Sequence, residues 1–70
     1  MRMPKLFDTK LRALRAEHSM TQEDLANAVG VVRQTIAYLE KGEYMPSLGL
    51  AFKIAQVFGK EIEEVFIFNK

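Results

Sequence analysis

Two helical patterns separated by one short turn constrain the fold of this chain most strongly. They occupy the segment 21–41, TQEDLANAVGVVRQTIAYLEK. Helices joined by so short a turn must cross steeply. Their backbones then need a small residue where they approach, a residue that tolerates positive φ in the turn, and branched apolar anchors on the second helix. The spacing supplies these residues in that order: Ala26, Gly30, Ile36 and Leu39.

Capping and breaking residues divide the chain into five predicted helices, at about 9–18, 21–30, 32–41, 47–59 and 60–66. Asp8 or Thr9 is a suitable N-cap for the first helix, and Thr21 with Asp24 forms a capping-box pattern at the second. The remaining residues, IFNK, are too few for a helix and fit a short extended segment.

Apolar side chains at helical spacing mark the predicted core. His18 shares the spacing of the first helix, where it is interpreted as a satisfied or half-exposed histidine at a helix end. The inward sets are Phe7, Leu11 and Leu14; Leu25, Ala26 and Val29; Val32, Ile36 and Leu39; Leu48, Leu50, Ala51, Ile54, Ala55, Val57 and Phe58; and Ile62, Val65 and Phe66. Ile67 and Phe68 follow this last set and have two interpretations. They fill the core, or they form a dimer surface, because apolar side chains beyond the core often mark a partner.

The composition excludes several ways of stabilising so short a chain. A domain of 70 residues has a small core, and the absence of cysteine excludes disulfides and argues against a zinc knuckle. Association into a dimer remains as a way of stabilising the fold. The net charge is only +1, but five basic residues and one acid lie within positions 1–15. That asymmetry predicts a positive face or simply a solvated surface, with equal weight.

Catalytic and membrane functions find no support in the sequence. His18 is the only histidine, and Glu63 and Glu64 are adjacent, so that on a helix their side chains diverge. There is no phosphate-binding glycine loop and no metal-ligand spacing, and no apolar run reaches the ~20 residues of a membrane span. The sequence therefore predicts no enzyme, cofactor, metal site, small-molecule substrate or membrane contact.

Three motifs, LRALRAEHSMTQEDLANAVGV, RQTIAYLEKG and PSLGLAFKIAQVFGKEIEEVF, carry a resemblance to a known family. The chain resembles the Cro- and lambda-repressor-like helix-turn-helix family, also called the XRE family, over about residues 9–66. The resemblance implies a single all-α domain over 1–70, a compact five-helix DNA-binding domain with a tail at 67–70. It implies a cytoplasmic transcriptional regulator, in a prokaryotic nucleoid or encoded by a phage, that acts as a homodimer on an inverted repeat, most simply as a repressor.

The resemblance places the N-terminal residues of the third helix against base edges in the major groove. The Arg33 guanidinium matches guanine O6 and N7, and the Gln34 amide matches adenine N6 and N7. Thr35 would touch a phosphate or a thymine methyl group, and Tyr38 a base or a phosphate. These four residues are the predicted base-reading set.

Other residues are expected to position the domain rather than to read sequence. Gln22, Lys41 and the backbone amides after Gly42 are the predicted phosphate contacts. Arg15 and Glu40 are predicted to form an internal ion pair that fixes the third helix against the scaffold.

The sequence departs from the family pattern at three positions. Val32 and Glu61 stand where hydroxyl residues usually cap the third and fifth helices, and Met45 replaces a residue that is more often polar. Val32 loses a capping bond worth about 1 kcal/mol, but it would offer a methyl group to thymine or become buried. Because of these departures, the sequence does not determine which DNA operator the protein would bind.

A protein-binding role is the alternative to a simple DNA-binding regulator. Antitoxins and the controller proteins of restriction-modification systems share this kind of small domain, and both functions add a protein partner or a genetic context that the sequence does not show.

Overall fold

The computed structural model describes residues 5–68. Within this range lie the five predicted helices and one two-stranded sheet. The helices are α1 (Leu11–Glu17), α2 (Gln22–Val29), α3 (Arg33–Glu40), α4 (Leu48–Phe58) and α5 (Ile62–Val65), and the strands are β1 (Asp8–Thr9) and β2 (Phe66–Ile67).

The predicted boundaries of α2 and α4 follow from local capping chemistry. The Thr21 hydroxyl accepts a hydrogen bond from the Asp24 amide at 2.9 Å, and the Asp24 carboxylate accepts one from the Thr21 amide at 2.9 Å. Ser47 caps α4 by accepting from the Leu50 amide at 3.1 Å. Gly30 ends α2 with φ of 78°, a left-handed conformation that glycine adopts without steric cost.

The first helix begins later than the sequence predicted because its expected first residues are in a strand. Asp8 pairs with Ile67 and Thr9 with Phe66, in antiparallel register. The Thr9 hydroxyl donates to the carbonyl of Val65 at 3.0 Å and accepts from the Leu11 amide at 3.2 Å. The predicted extended tail is therefore correct at Ile67, whereas Phe66 was expected in the fifth helix and the partner strand β1 was not expected. Residues 69–70 of the predicted tail lie outside the described residues.

The core lies between the helices and is closed by the sheet. Phe7 packs edge-on against Phe66, with ring centroids 5.5 Å apart. The buried apolar residues are Phe7, Leu11, Leu14, Leu25, Ala26, Val29, Ile36, Leu39, Ala51, Ile54, Ala55, Phe58, Val65 and Phe66. Met20, Val31, Leu50, Val57 and Ile62 are half-buried against them.

Two residues of the predicted core, Val32 and Leu48, are on the surface, whereas His18 lies at a helix end as predicted. Val32 is 68% exposed because it caps α3 in an extended conformation, so its side chain is outside the inward face of that helix. Leu48 is 77% exposed as the first residue of α4. His18 lies just after α1, where its ring packs edge-on against Phe58 and its Nδ1 is 3.0 Å from the Leu14 carbonyl.

Candidate nucleic-acid interface

The two helices α2 and α3 pack tightly through small and apolar residues. Ala26, Ile36 and Leu39 are completely buried, so they fix one face of each helix to the scaffold. A Cβ atom added to Gly30 would meet no atom within 4 Å. The glycine is therefore needed for its positive φ rather than for close packing.

The opposite face of α3 presents the predicted base-reading residues. Arg33, Gln34 and Tyr38 are exposed, and Thr35 is half-buried. The Gln34 Nε2 donates to the Tyr38 hydroxyl at 3.1 Å, a contact made possible by their one-turn separation. This bond holds the Gln34 amide along the helix while its second N–H and its carbonyl oxygen stay available.

Gln22 connects the start of α2 to both ends of α3. Its Oε1 accepts a hydrogen bond from Nη1 of Arg33 at 3.0 Å. Its Nε2 donates to Oε1 of Glu40 at 3.0 Å. The predicted phosphate contact at Gln22 is thus also a neighbour of the predicted base-reading Arg33.

Arg15 and Glu40 are in direct contact between α1 and the end of α3. The Arg15 Nε and Nη2 donate to the two carboxylate oxygens of Glu40, the second at 3.1 Å. The Arg15 Nη1 donates to the Met20 carbonyl at 2.9 Å, which ties in the loop before α2. The side chains of Arg15 and Glu40 are 14% and 2% exposed, so the pair is largely removed from water.

The charges around Glu40 keep its carboxylate ionised. Burial raises the pKa of Glu40, but hydrogen bonds from Arg15 and Gln22 and the charges of Arg15 and Arg12 outweigh burial and lower that pKa overall. Arg12 contributes from the rim, with its Nε 4.0 Å from the carboxylate. The hydrogen bond with Glu40 in turn raises the pKa of Arg15.

Comparisons with known proteins show the family to which this chain belongs. A family model described as helix-turn-helix matches residues 11–65. The chain belongs to the XRE-type helix-turn-helix family. An uncharacterized HTH-type transcriptional regulator from Archaeoglobus fulgidus is 59% identical over 61 residues, which are 87% of each chain. The transcriptional repressor RstR of the cryptic phage CTXphi, from Vibrio cholerae, is 38% identical over 86% of this chain and 54% of its own length.

A solved structure gives the same family assignment. The restriction-modification controller protein C.AhdI from Aeromonas hydrophila has a TM-score of 0.71 and 33% identity, over 79% of this chain and 83% of its own. The chain is therefore a transcriptional regulator with a helix-turn-helix DNA-binding fold, and its family is not one of enzymes.

The groups predicted to contact phosphate differ in their availability. Lys41 is exposed at the C-terminal end of α3. The amides of Gly42 and Glu43, however, donate to the carbonyls of Leu39 at 3.0 Å and Tyr38 at 3.1 Å. The expectation that the loop after Gly42 offers its amides is therefore wrong for Glu43, because that amide closes the end of α3.

The departures from the family pattern have local structural counterparts. Val32 makes no side-chain capping bond at α3, as expected from its chemistry. At α5 the Glu61 amide donates to the Glu64 carboxylate at 2.8 Å, which is the reciprocal bond of a capping box. Met45 is exposed in the loop between α3 and α4.

The tail of the helix-turn-helix domain is only partly covered. Ile67 is 37% exposed and Phe68 is 48% exposed, although the Phe68 ring lies 5.5 Å from that of Phe7. Phe66 is buried in the core, whereas the two residues that follow it are each covered only in part.

Residues 5–68 contain no group of three or more histidine, cysteine, aspartate or glutamate side chains arranged to hold a metal ion. In the same range no helix has the length and hydropathy that a membrane crossing requires.

Sequence analysis missed the two hydrogen bonds of Gln22. The one-turn spacing of Gln34 and Tyr38 would have indicated their contact. Nothing in the spacing of Gln22, Arg33 and Glu40 does so, because their proximity depends on how α2 crosses α3.

Glu40 gives the stability of this domain a dependence on acid pH. Because its folded-state pKa is below the ordinary value of about 4.3, the pair contributes fully above that pH and is lost as the pH falls through the folded-state pKa. We expect the free energy of unfolding, measured in urea, to decrease as the pH is lowered below about 4.3. Hydrogen bonding from the Thr21 amide lowers the pKa of Asp24, which contributes in the same window.

The Glu40→Gln variant separates these two contributions. It should be less stable than the parent at neutral pH, and the two stability curves should converge in acid. The Asp24→Asn variant measures how much of the loss of stability in acid is due to Asp24. Parallel curves for the parent and Glu40→Gln would show that Glu40 does not cause the acid loss.

Proposed function

We propose that this regulator binds double-stranded DNA sequence-specifically as a homodimer on an inverted repeat, with α3 in the major groove, and that it represses transcription. The observation that supports the proposal is the exposed face of α3. Three hydrogen-bonding side chains, Arg33, Gln34 and Tyr38, stand there on a helix whose other face is anchored by Ile36 and Leu39.

The chemistry of this face fits base edges. Arg33 has a two-pronged donor for guanine, of which only Nη1 is engaged by Gln22. Gln34 retains one donor and one acceptor for adenine. Thr35 and Val32 contribute methyl groups next to these side chains, and a methyl group on this face suits thymine.

Phosphate contacts set the register of α3 in the groove. Gln22 and Lys41 are the proposed phosphate contacts at the two ends of the unit. The amides of Gln22 and Glu23 in the first turn of α2 have no partner within their own helix, whereas the Asp24 amide donates to the Thr21 hydroxyl. We expect a phosphate oxygen to accept from the free N–H of the Gln22 side chain and from the amides of Gln22 and Glu23. Lys41 supplies charge at the opposite end of α3.

Substitutions on α3 should relax base preference. We expect Arg33→Ala and Gln34→Ala each to lose discrimination at one position of the half-site, corresponding to about 1–3 kcal/mol. The measurement is selection of bound sequences from a random DNA pool, followed by titration of single-base variants.

Lys41→Ala is the matched control, because loss of a phosphate contact weakens all sequences alike and reduces the slope of log affinity against log salt by about 0.9. If the Arg33 and Gln34 variants select the same sites as the parent, the base assignments are wrong. The spacing of the selected half-sites also tests the homodimer, since paired recognition helices require about one helical turn between centres.

The tail supplies the proposed dimer surface. Ile67 and Phe68 are apolar, exposed and follow the strand β2. Phe68→Glu should therefore give monomers in sedimentation. Phe52→Glu is the control, because Phe52 is 54% exposed on α4 and outside the tail. A dimeric Phe68→Glu variant would remove the tail from the interface, and a monomeric Phe52→Glu variant would show that the effect is not confined to the tail.

A controller function is the second candidate, favoured by the 33% identity to a restriction-modification controller protein. The two candidates differ in the genes beside the bound site. A selected site that lies in front of restriction-modification genes supports the controller, and a reporter silenced from that site supports the repressor. A cytoplasmic location, in a nucleoid or of phage origin, stays a prediction.

A further inference from the structure

A continuous path of hydrogen bonds joins the scaffold helix α1 to the reading face of α3. Arg15 donates to the Glu40 carboxylate, which also accepts from Gln22 at 3.0 Å. Gln22 accepts from Arg33 at 3.0 Å. The path thus enters α3 at its last residue, passes through α2 and returns to α3 at its first residue.

The chemistry of the Glu40 carboxylate determines which way the Gln22 amide points. A carboxylate accepts hydrogen bonds and donates none, so the NH₂ group of Gln22 must face it. The carbonyl oxygen of Gln22 then points toward Arg33. The reverse orientation would place a carbonyl oxygen against the carboxylate and an NH₂ group against the guanidinium, losing both bonds.

We propose that Glu40 is a positioning residue for base recognition: it fixes the orientation of the Gln22 amide, which in turn aims the Arg33 guanidinium. The inference rests on the proposed base-reading role of Arg33. With its side chain 2% exposed, Glu40 acts through Gln22 and not by contact with DNA.

Holding Arg33 in this way favours binding because a free arginine loses considerable rotamer entropy when it is immobilised. The second N–H of Gln22 remains available for a phosphate. One amide group therefore links a phosphate contact to a base contact, and its orientation depends on a buried carboxylate. Loss of that carboxylate should affect discrimination at the Arg33 position and not affinity alone.

The test compares binding to two duplexes. The first is the best site selected by the parent protein. The second differs only at the base pair whose preference is lost in Arg33→Ala. The ratio of the two dissociation constants is measured for the parent, Glu40→Gln, Gln22→Ala, the double variant and Ile54→Val. Ile54→Val is the control for general destabilisation, because Ile54 is buried in α4 away from the path. Circular dichroism verifies that each variant is folded at the temperature used.

We expect Glu40→Gln and Gln22→Ala each to lower the ratio by about 2- to 10-fold, as coupled neighbours do. Adding Glu40→Gln to Gln22→Ala should lower it no further, because the effect of Glu40 passes through Gln22. Ile54→Val should leave the ratio unchanged. A residue with a purely structural role would weaken both duplexes equally.

Failure of this inference is distinguishable from failure of the proposed function. If no base pair loses its preference in Arg33→Ala, the assigned role of Arg33 is wrong. If such a base pair exists but the ratio is unchanged in Glu40→Gln and Gln22→Ala, Arg33 reads the base without this path and the inference is overturned. Should Glu40→Gln not fold, an unchanged ratio in Gln22→Ala still overturns the inference, because the path from Glu40 to Arg33 passes through Gln22.

Discussion

Replacing Arg15 with alanine is expected to lower the free energy of unfolding by about 3–5 kcal/mol, because it leaves the Glu40 carboxylate buried without its charged partner. The loss includes the hydrogen bond from Arg15 to the Met20 carbonyl, which holds the loop before α2. A core of this size rarely provides more than about 3–5 kcal/mol in total, so this single change is enough to bring the domain close to its unfolding midpoint.

Arg33→Ala is the matched control for Arg15→Ala. Both changes remove an arginine, but Arg33 is exposed and its hydrogen-bond partner is a neutral amide. An exposed substitution of this kind changes stability by about 0.5 kcal/mol or less. Thermal and urea unfolding measure the two variants, and one kcal/mol corresponds to about 4–8 °C in Tm for a domain of this length. Equal melting temperatures would show that the ion pair does not anchor α3.

Gly42→Ala is expected to destabilise the domain by about 2–4 kcal/mol through two separate effects. Gly42 has φ of +71°, where an alanine is strained. A Cβ atom there would lie 2.4 Å from the Phe7 carbonyl oxygen and 2.7 Å from Cγ of Lys5. The Leu6 amide also donates to the Gly42 carbonyl at 2.7 Å, so the segment before β1 cannot move away without losing that bond.

The Gly30→Ala variant separates the cost of backbone strain at positive φ from the cost of the steric clash at Gly42. Gly30 has a similar φ of +78°, but an added Cβ meets nothing within 4 Å. It should therefore cost only about 1–2 kcal/mol. Urea unfolding of both variants gives the comparison. A Gly42→Ala variant as stable as Gly30→Ala would mean that the segment 5–7 is displaced at little cost.

The parts of the fold that follow from neighbouring residues were predictable. The Thr21–Asp24 capping box, the Ser47 cap and the glycine at the end of α2 depend only on residues a few positions apart. The spacing of Leu25, Ala26 and Val29 likewise indicated the face of α2 that is buried. Local chemistry of this kind specifies where each helix begins, ends and faces.

Features that depend on how elements meet were predicted less well. The pairing of β1 with β2 joins residues from opposite ends of the sequence, so no local pattern reveals it. Val32 and Leu48 continue the apolar spacing of their helices, yet each lies at a helix start, where the inward face is not yet established. The link from Glu40 through Gln22 to Arg33 likewise depends on the crossing of two helices.

The antiparallel contact of β1 with β2 has a consequence for the order of folding. It closes a loop that contains all five helices, with the Thr9 hydroxyl bonded to a carbonyl 56 positions later. Closing so long a loop carries an entropic cost that the compact helices between its ends must first reduce. We therefore expect the two-stranded ribbon to form last and to open first, so that the ends of the chain separate while the α2–α3 unit is still intact.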